Sequence, residues 1–363
     1  MSSMQGDALR ISIFGQSHGE AVGVVVEGLP PGEEVDIPKL HAFLGRRAPG
    51  RSVLATARKE DDAPRFLSGL LDGKTCGAPL CAVIENRDAR PGDYDKLKNT
   101  PRPSHADYPA SIRCAGMNDI RGGGHYSGRL TAPLCAAGGI ALQLLERRGV
   151  CVGAHLEAVG AVKDRRFDPV LLTRCELLAP GERAIPTLDV GASARMEEEI
   201  RAAASDGDSV GGIVECGALG MPTGAGDTLF RSLESRLSAA LFAIPGVRGI
   251  EFGSGFEAAS ARASRHNDPY CVRDGKIAAA SNNHGGILGG MTTGMPIIFR
   301  AAFKPTPSIA REQQTVDLAA NRETSIRITG RHDPCIALRA VPCVEAAAAL
   351  VLLDLLFSSS GKL

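Results

Sequence analysis

Apolar and polar positions along the chain follow two different periods in turn. Ala8 to Phe14 and Val22 to Glu27 are short apolar runs separated by the polar, turn-forming Gly15-Gln-Ser-His-Gly-Glu20, and they predict two strands joined by a loop. Asp36, after the Pro30-Pro31-Gly32 turn, predicts the N-cap of a helix through Leu44. Arg65 to Leu71 and Pro79 to Glu85 predict a hairpin about Asp72-Gly73. Leu134, Ala137, Ala141, Leu144 and Leu145 share one face of a helix from Leu130 to Arg148, with Arg147 and Arg148 at its negative end and Gly149 as its stop.

The second half repeats the mixture. Helices are expected from Met196 to Ala204, opened by Ser193, and from Thr228 to Ala243; strands are expected at Val210 to Glu215, Val247 to Phe252 and Ile297 to Phe303. An Ala/Leu helix is expected from Pro342 to Phe357, with the proline in its first turn. Val22-Gly-Val-Val-Val-Glu27 and Val210-Gly-Gly-Ile-Val-Glu215 echo each other and hint at two related halves. No Ser/Gly-rich linker or charge run divides them. The expectation is a mixed α/β (α+β) chain folding as one unit over residues 1–363.

Composition narrows the partners. Forty-one basic side chains balance 41 acidic ones, so nothing in the global charge favours nucleic acid or an anionic membrane, and any anionic ligand must be held by local arginines. Tryptophan is absent and aromatics are 4% of the chain, which leaves few platforms for base stacking. The ten cysteines form no C-x-x-C pair and mostly sit in Ala/Val/Leu-rich surroundings, as expected of free thiols in a reducing cytosol. The N-terminus carries no basic segment followed by an apolar core. The longest apolar stretch, Ala346 to Phe357, is interrupted by Asp354 and falls short of the ~20 residues a membrane span needs. A cytoplasmic protein is expected.

Chemistry concentrates in polar clusters flanked by glycine: Gly15 to Glu20, Arg46 to Ser52, Arg102 to Asp107, Arg121 to Arg129, Asn282 to Gly290, Lys304 to Ser308 and Gly330 to Cys335. Glycine beside Ser, Arg or His lets backbone N–H groups approach an anion, and arginine supplies a bidentate fork for phosphate or carboxylate. A phosphorylated ligand follows from their number. Neither G-x-G-x-x-G after a strand nor a P-loop is present, and H-E-x-x-H is absent. The histidines lack local zinc-ligand spacing, so no metal site is assigned, and only one assembled from distant residues stays open. Taken singly, His18 is equally a turn or cap residue, Asp333 a turn former before Pro334, and Arg46 and Arg47 a solvated helix end.

Taken together and in order, the clusters closely resemble the chorismate synthase family. Its pattern of G-[ED]-S-H-G, R-R-x-P-G, R-P-G-H-A-D, R-G-G-G-R-x-S-x-R-E-T, G-G-I-x-G-G, K-P-T and G-R-H-D-P-C is followed here by Gly15 to Gly19, Arg46 to Gly50, Arg102 to Asp107, Arg121 to Thr131, Gly285 to Gly290, Lys304 to Thr306 and Gly330 to Cys335. The resemblance implies a β-α-β sandwich of two pseudo-related halves, assembled as a homotetramer. It also implies a carbon–oxygen lyase that eliminates phosphate from 5-enolpyruvylshikimate 3-phosphate in an anti-1,4 manner, giving chorismate in the shikimate pathway of aromatic amino acid biosynthesis. Reduced FMN would be required without net redox change, with NADPH as a candidate reductant and a separate flavin reductase as a candidate partner.

The same resemblance implies roles. His18 would protonate the leaving phosphate, His105 the reduced flavin, and Asp333 would help flavin N5 take the C6 hydrogen. Arg46, Arg47, Arg102, Ser127 and Arg129 would bind substrate anions. Arg47, His125, Tyr126, Ser127, Pro245, Gly246, Gly289, Lys304, Pro305, Thr306, Pro307, Ser308 and Arg331 would contact the cofactor. The chain departs from the pattern at Gln16 (for an acid), Ser104 (for glycine), His125-Tyr126 (for Arg-Ser) and Leu130 (for Glu). Val53 stands where an arginine is common, which puts direct NADPH contact in question and favours a separate reductase.

Overall fold

The computed structural model describes residues 3–49, 60–88, 98–273, 275–328 and 332–359. Two five-stranded antiparallel sheets enclose a layer of helices. The first comprises β1 (Ser3–Gln5), β2 (Arg10–Gly15), β3 (Ala21–Glu27), β4 (Arg65–Ser68) and β5 (Leu80–Glu85), in the order β1-β2-β3-β5-β4. The second comprises β6 (Cys151–Val159), β7 (Val162–Lys163), β8 (Gly212–Leu219), β9 (Val247–Phe252) and β10 (Ile297–Phe303), in the order β9-β10-β8-β6-β7. The main helices between them are α1 (Ile37–Arg47), α2 (Thr131–Arg147), α3 (Leu233–Phe242) and α4 (Ala337–Ser359). Helix α2 lies on β3 and β5, α4 lies on β6 and β8, and the two pack along each other.

Small side chains set that spacing. A Cβ added at Gly138 of α2 would stand 2.3 Å from the Ala346 Cβ of α4, and one at Gly139 would stand 2.5 Å from Leu40 of α1. The backbones therefore approach more closely than larger residues allow, and α4 is apolar on nearly every face because it is covered on every face. Helices Gly128–Arg147 and Ala337–Ser359 are long and apolar enough to cross a membrane, yet most of each is buried in this layer. One core cluster runs from Leu9 to Leu355 through both sheets and the helices. Strand β6 is buried throughout because Phe167, Leu172 and Leu177 cover its outer side.

Several boundaries differ from the sequence expectation, each for a local reason. Helix α4 begins at Ala337, so Pro342 lies inside it and the helix is longer than the apolar run suggested. Asp354 does not interrupt it: the wholly buried carboxylate accepts the N–H groups of Ala8 (2.8 Å) and Leu9 (2.7 Å) and pairs with Arg236. Asp189, not Ser193, caps the helix Val190–Ser205, accepting from Gly191 and Ala192. Helix α3 is shorter than expected and is capped by Ser232. Arg65 to Leu71 is broken at Gly69, whose φ is +86° and where a Cβ would stand 2.3 Å from Leu80 Cα; the Asp72-Gly73 turn joins only Leu70–Leu71 to Lys74–Thr75. The predicted cap at Asp36 is present, accepting from Lys39 N at 2.8 Å. All ten cysteines carry free thiols, five of them buried. The two echoing segments fall on β3 and at the start of β8, the third strand of each sheet.

Candidate active site

The loop between β2 and β3 turns back on itself, with Gly19 N donating to Gln16 O at 3.1 Å, and buries Ser17 and His18. Ser17 Oγ lies 3.2 Å from His18 Nδ1. The Gly122-Gly123-Gly124 run presses against this loop with positive φ at all three residues, and Ser17 N donates to Gly124 O at 3.1 Å. A Cβ at Gly122 would fall 2.3 Å from His18 Nδ1, while one at Gly123 would fall 3.1 Å from His105 Cε1. Two separate histidines thus flank one strip of side-chain-free backbone. His125, next in sequence, donates from Nδ1 to Gly15 O at 2.8 Å and pins the strip to the end of β2.

His105 is oriented by a carboxylate. Its Nδ1 lies 2.6 Å from Asp107 Oδ1, so Nδ1–H donates to Asp107 and the exchangeable position is Nε2. Arg102 reinforces the carboxylate from the other side, with Nε donating to Oδ2 at 2.7 Å and Nη2 to Oδ1 at 2.8 Å. Burial alone would raise the Asp107 pKa, but the hydrogen bonds from Arg102 and His105 hold it far below the ordinary carboxylate range. The backbone leading into this unit is strained. Ser104, at the position where the family pattern carries glycine, has φ +56°.

Arg47 and Arg129 converge on one buried carboxylate. Asp62 accepts from Arg47 Nε at 2.8 Å through Oδ2 and pairs with Arg129 through Oδ1. Arg47 Nη1 donates to Thr131 Oγ1 at 3.1 Å; Arg129 Nε donates to Asn86 Oδ1 at 2.8 Å, and its Nη2 stands 3.6 Å from Glu60. Burial raises the Asp62 pKa, and the two guanidiniums more than reverse that and leave it lowered. Ser127 Oγ accepts from Arg129 N at 3.2 Å, starting the turn that carries the arginine. Arg46 has a different occupation. Both its terminal nitrogens are taken by Glu345 at 2.7 Å, which clamps α1 to α4. Neither arginine of the pair is a solvated helix end.

Residues of the second half close onto this cluster. Lys304 Nζ donates to Ser104 O, beside His105, and Ser308 Oγ accepts from Arg102 Nη1 at 3.2 Å. Burial, and then Arg248 nearby, push the Lys304 ammonium below its usual pKa. Thr306, between Pro305 and Pro307 in sequence, donates from Oγ1 to Asp333 O at 2.7 Å, and Asp333 Oδ2 accepts from Arg339 Nη1 at 2.7 Å. Arg339 Nε in turn donates to Arg47 O at 2.8 Å, which joins the two halves through α1 and α4. Gly246, following Pro245, accepts the N–H of Lys304 at 3.0 Å. Tyr126 is partly exposed beside His125. Gly289 belongs to the small Ile287–Thr292 hairpin, which is tied to the 225–233 loop through Gly226 and Leu233. Arg331 and Val53 lie outside the described residues.

The site thus combines two histidines on a glycine strip, a carboxylate-oriented imidazole, and arginine and lysine positions drawn from both halves. Such a set suits proton transfer to a polyanionic ligand. Among the described residues no group of three metal-ligating side chains occurs. The family model for chorismate synthase matches residues 9–357. The chain belongs to the chorismate synthase family.

A chorismate synthase of Thermococcus kodakarensis is 49% identical over 351 residues, covering 97% of this chain and 96% of that protein. One of Lancefieldella parvula is 42% identical, covering 99% and 97%. A crystal structure of chorismate synthase superposes with a TM-score of 0.76 at 26% identity, covering 98% of this chain and 94% of that one. The β-α-β sandwich is therefore the family's fold, and the activity is that of a carbon–oxygen lyase of the shikimate pathway. Sequence reading did not single out Glu60, Asp62, Asn86, Asp107 or Arg339, although each contacts a residue that it did. A signal was present for Asp107, which closes the Arg102-Pro-Ser-His-Ala-Asp run; the others are single polar residues beside strands or inside a helix. Leu130, in place of the family's Glu, is buried in the core.

Proposed function

We propose that the chain converts 5-enolpyruvylshikimate 3-phosphate to chorismate by anti-1,4-elimination of phosphate, using reduced FMN, as a homotetramer in the cytoplasm whose catalytic unit spans residues 1–363. The observation that carries this reading is the pairing of His18 and His105 across Gly122 and Gly123. The absence of side chains at Gly122 and Gly123 lets both imidazoles pack directly against one strip of backbone, which brings the two proton carriers to the same place. His18 holds a proton for the departing phosphate. His105, its Nδ1 committed to Asp107, exchanges a proton at Nε2, and Asp333 assists loss of the C6 hydrogen. Arg47, Arg102, Ser127 and Arg129 supply the anion-binding groups.

The cofactor's needs are met by this chain's own residues. Arg248 lies near enough to Lys304 to lower its pKa, and the Thr306 and Ser308 hydroxyls follow in the same segment, residue types that suit a ribityl phosphate. His125, Tyr126, Gly246 and Lys304 to Ser308 would hold reduced FMN, with Gly289 and Arg331 as further expected contacts. When bound, that group supplies electron density to the carbon–oxygen bond being broken and recovers it. A separate flavin reductase is the favoured electron source, NADPH acting through it. Assembly is supported by apolar side chains left exposed in the second half, among them Phe230, Phe256, Tyr270, Val272 and Ile277.

The test is acid catalysis. His18→Ala and His105→Ala should each slow phosphate release by roughly 10²–10⁴-fold while the fold survives. A variant that keeps the wild-type rate removes that histidine from the mechanism.

A further inference from the structure

Asn86 follows β5 and makes four hydrogen bonds that converge on the site. Its backbone N–H donates to Glu20 O at 3.0 Å, and its side-chain amide donates to Gln16 O at 2.9 Å and Gly19 O at 2.8 Å. Its Oδ1 accepts from Arg129 Nε at 2.8 Å. One side chain therefore grips the loop on both sides of His18 and fastens it to an arginine already locked to Asp62. An amide is the side chain that offers two donors and an acceptor in so small a space; a carboxylate of the same shape would set oxygen against two carbonyls.

We infer that Asn86 is a positioning residue for His18, coupling the placement of that imidazole to the guanidinium of Arg129. The inference rests on the reading of His18 as proton donor and of Arg129 as an anion-binding group. The loop is held by hydrogen bonds from Asn86, by its own turn and by the glycine strip. Losing the amide donors frees both flanks of His18 while leaving the residue itself unchanged. A misplacement on the order of 1 Å is worth about 10²-fold in rate.

The experiment measures phosphate release with chemically reduced FMN and 5-enolpyruvylshikimate 3-phosphate for Asn86→Ala, Asn86→Asp, His18→Ala and the double variant His18→Ala/Asn86→Asp. Asn86→Asp keeps the acceptor for Arg129 and guards against a failure of the alanine variant to fold. The expected result is a fall in kcat of about 10–10²-fold for either single change at Asn86, with KM changed by less than about threefold. In the His18→Ala background, Asn86→Asp, which keeps the acceptor for Arg129, should cost nothing further, because a group that acts through His18 has nothing left to act on. Losses that multiply in the double variant, or kcat within twofold of wild type for both Asn86 variants, would overturn the inference. A wild-type rate for His18→Ala would instead bring down the reading of His18 on which it rests.

Discussion

Replacing Asp62 by asparagine isolates the charge that holds the arginine pair together. The Asp62 side chain is fully buried, and those of Arg47 and Arg129 are 3% and 4% exposed, so the interaction is not screened by solvent. Asparagine keeps the shape and removes the negative charge, leaving two adjacent guanidiniums with Glu60 at 3.6 Å from Arg129 as the remaining carboxylate nearby. Breaking one side of a buried ion pair costs about 3–5 kcal/mol. Unfolding entropy of roughly 2.1 cal/mol/K per residue, over a chain of this length, is about 0.76 kcal/mol/K, so Tm should fall by about 4–7 °C. Calorimetry of both proteins at equal concentration and pH 7 measures it. The carboxylate's pKa is lowered in the fold, so its contribution is present above the ordinary value near ~3.9 and disappears as pH falls through the folded one. The gap in Tm should therefore hold steady from about pH 5 to 8 and shrink in stronger acid. A gap below 1 °C at pH 7, or one that widens on acidification, would refute the argument.

Two further substitutions test the backbone on either side of the histidines. Gly122→Ala would place a Cβ 2.3 Å from His18 Nδ1 at φ +60°; phosphate release should fall by about 10²-fold or more, and an unchanged rate would show that this close approach is dispensable. Ser104→Gly should relieve a left-handed strain of about 1–2 kcal/mol against a chain-entropy cost of about 0.5–1, for a net gain of roughly 0–1.5 kcal/mol by urea unfolding; a loss of stability would mean that the Ser104 side chain offsets its own strain.

The sequence made the elements legible where one period dominates. Strands β2, β3, β9 and β10, the cap at Asp36 and helix α2 lie within a few residues of where the apolar spacing places them. Helix α4 is hard to bound from sequence because it is buried all round: with no polar face to mark its period, the apolar run points to a start at Pro342 and an interruption at Asp354, whereas the helix begins at Ala337 and that carboxylate is the partner of the segment before β2. The histidines, arginines and glycine clusters of the site could be found because the chemistry of an anionic ligand needs those residue types. Their internal partners could not. Asp62, Asn86 and Arg339 do their work through contacts with residues 6 to 292 positions away in sequence, and nothing local distinguishes them from surface polar groups. Arg46 illustrates the converse. It carries the same side chain as Arg47 one position away, but the turn of α1 points it at Glu345.

The most direct test of the whole account is phosphate release from 5-enolpyruvylshikimate 3-phosphate by the purified chain under anaerobic conditions, with FMN supplied either oxidised or reduced by dithionite. Stoichiometric chorismate and phosphate are expected with reduced FMN, none with the oxidised form, and no net consumption of reduced flavin. Equal phosphate release in both arms, or phosphate without chorismate, would contradict it.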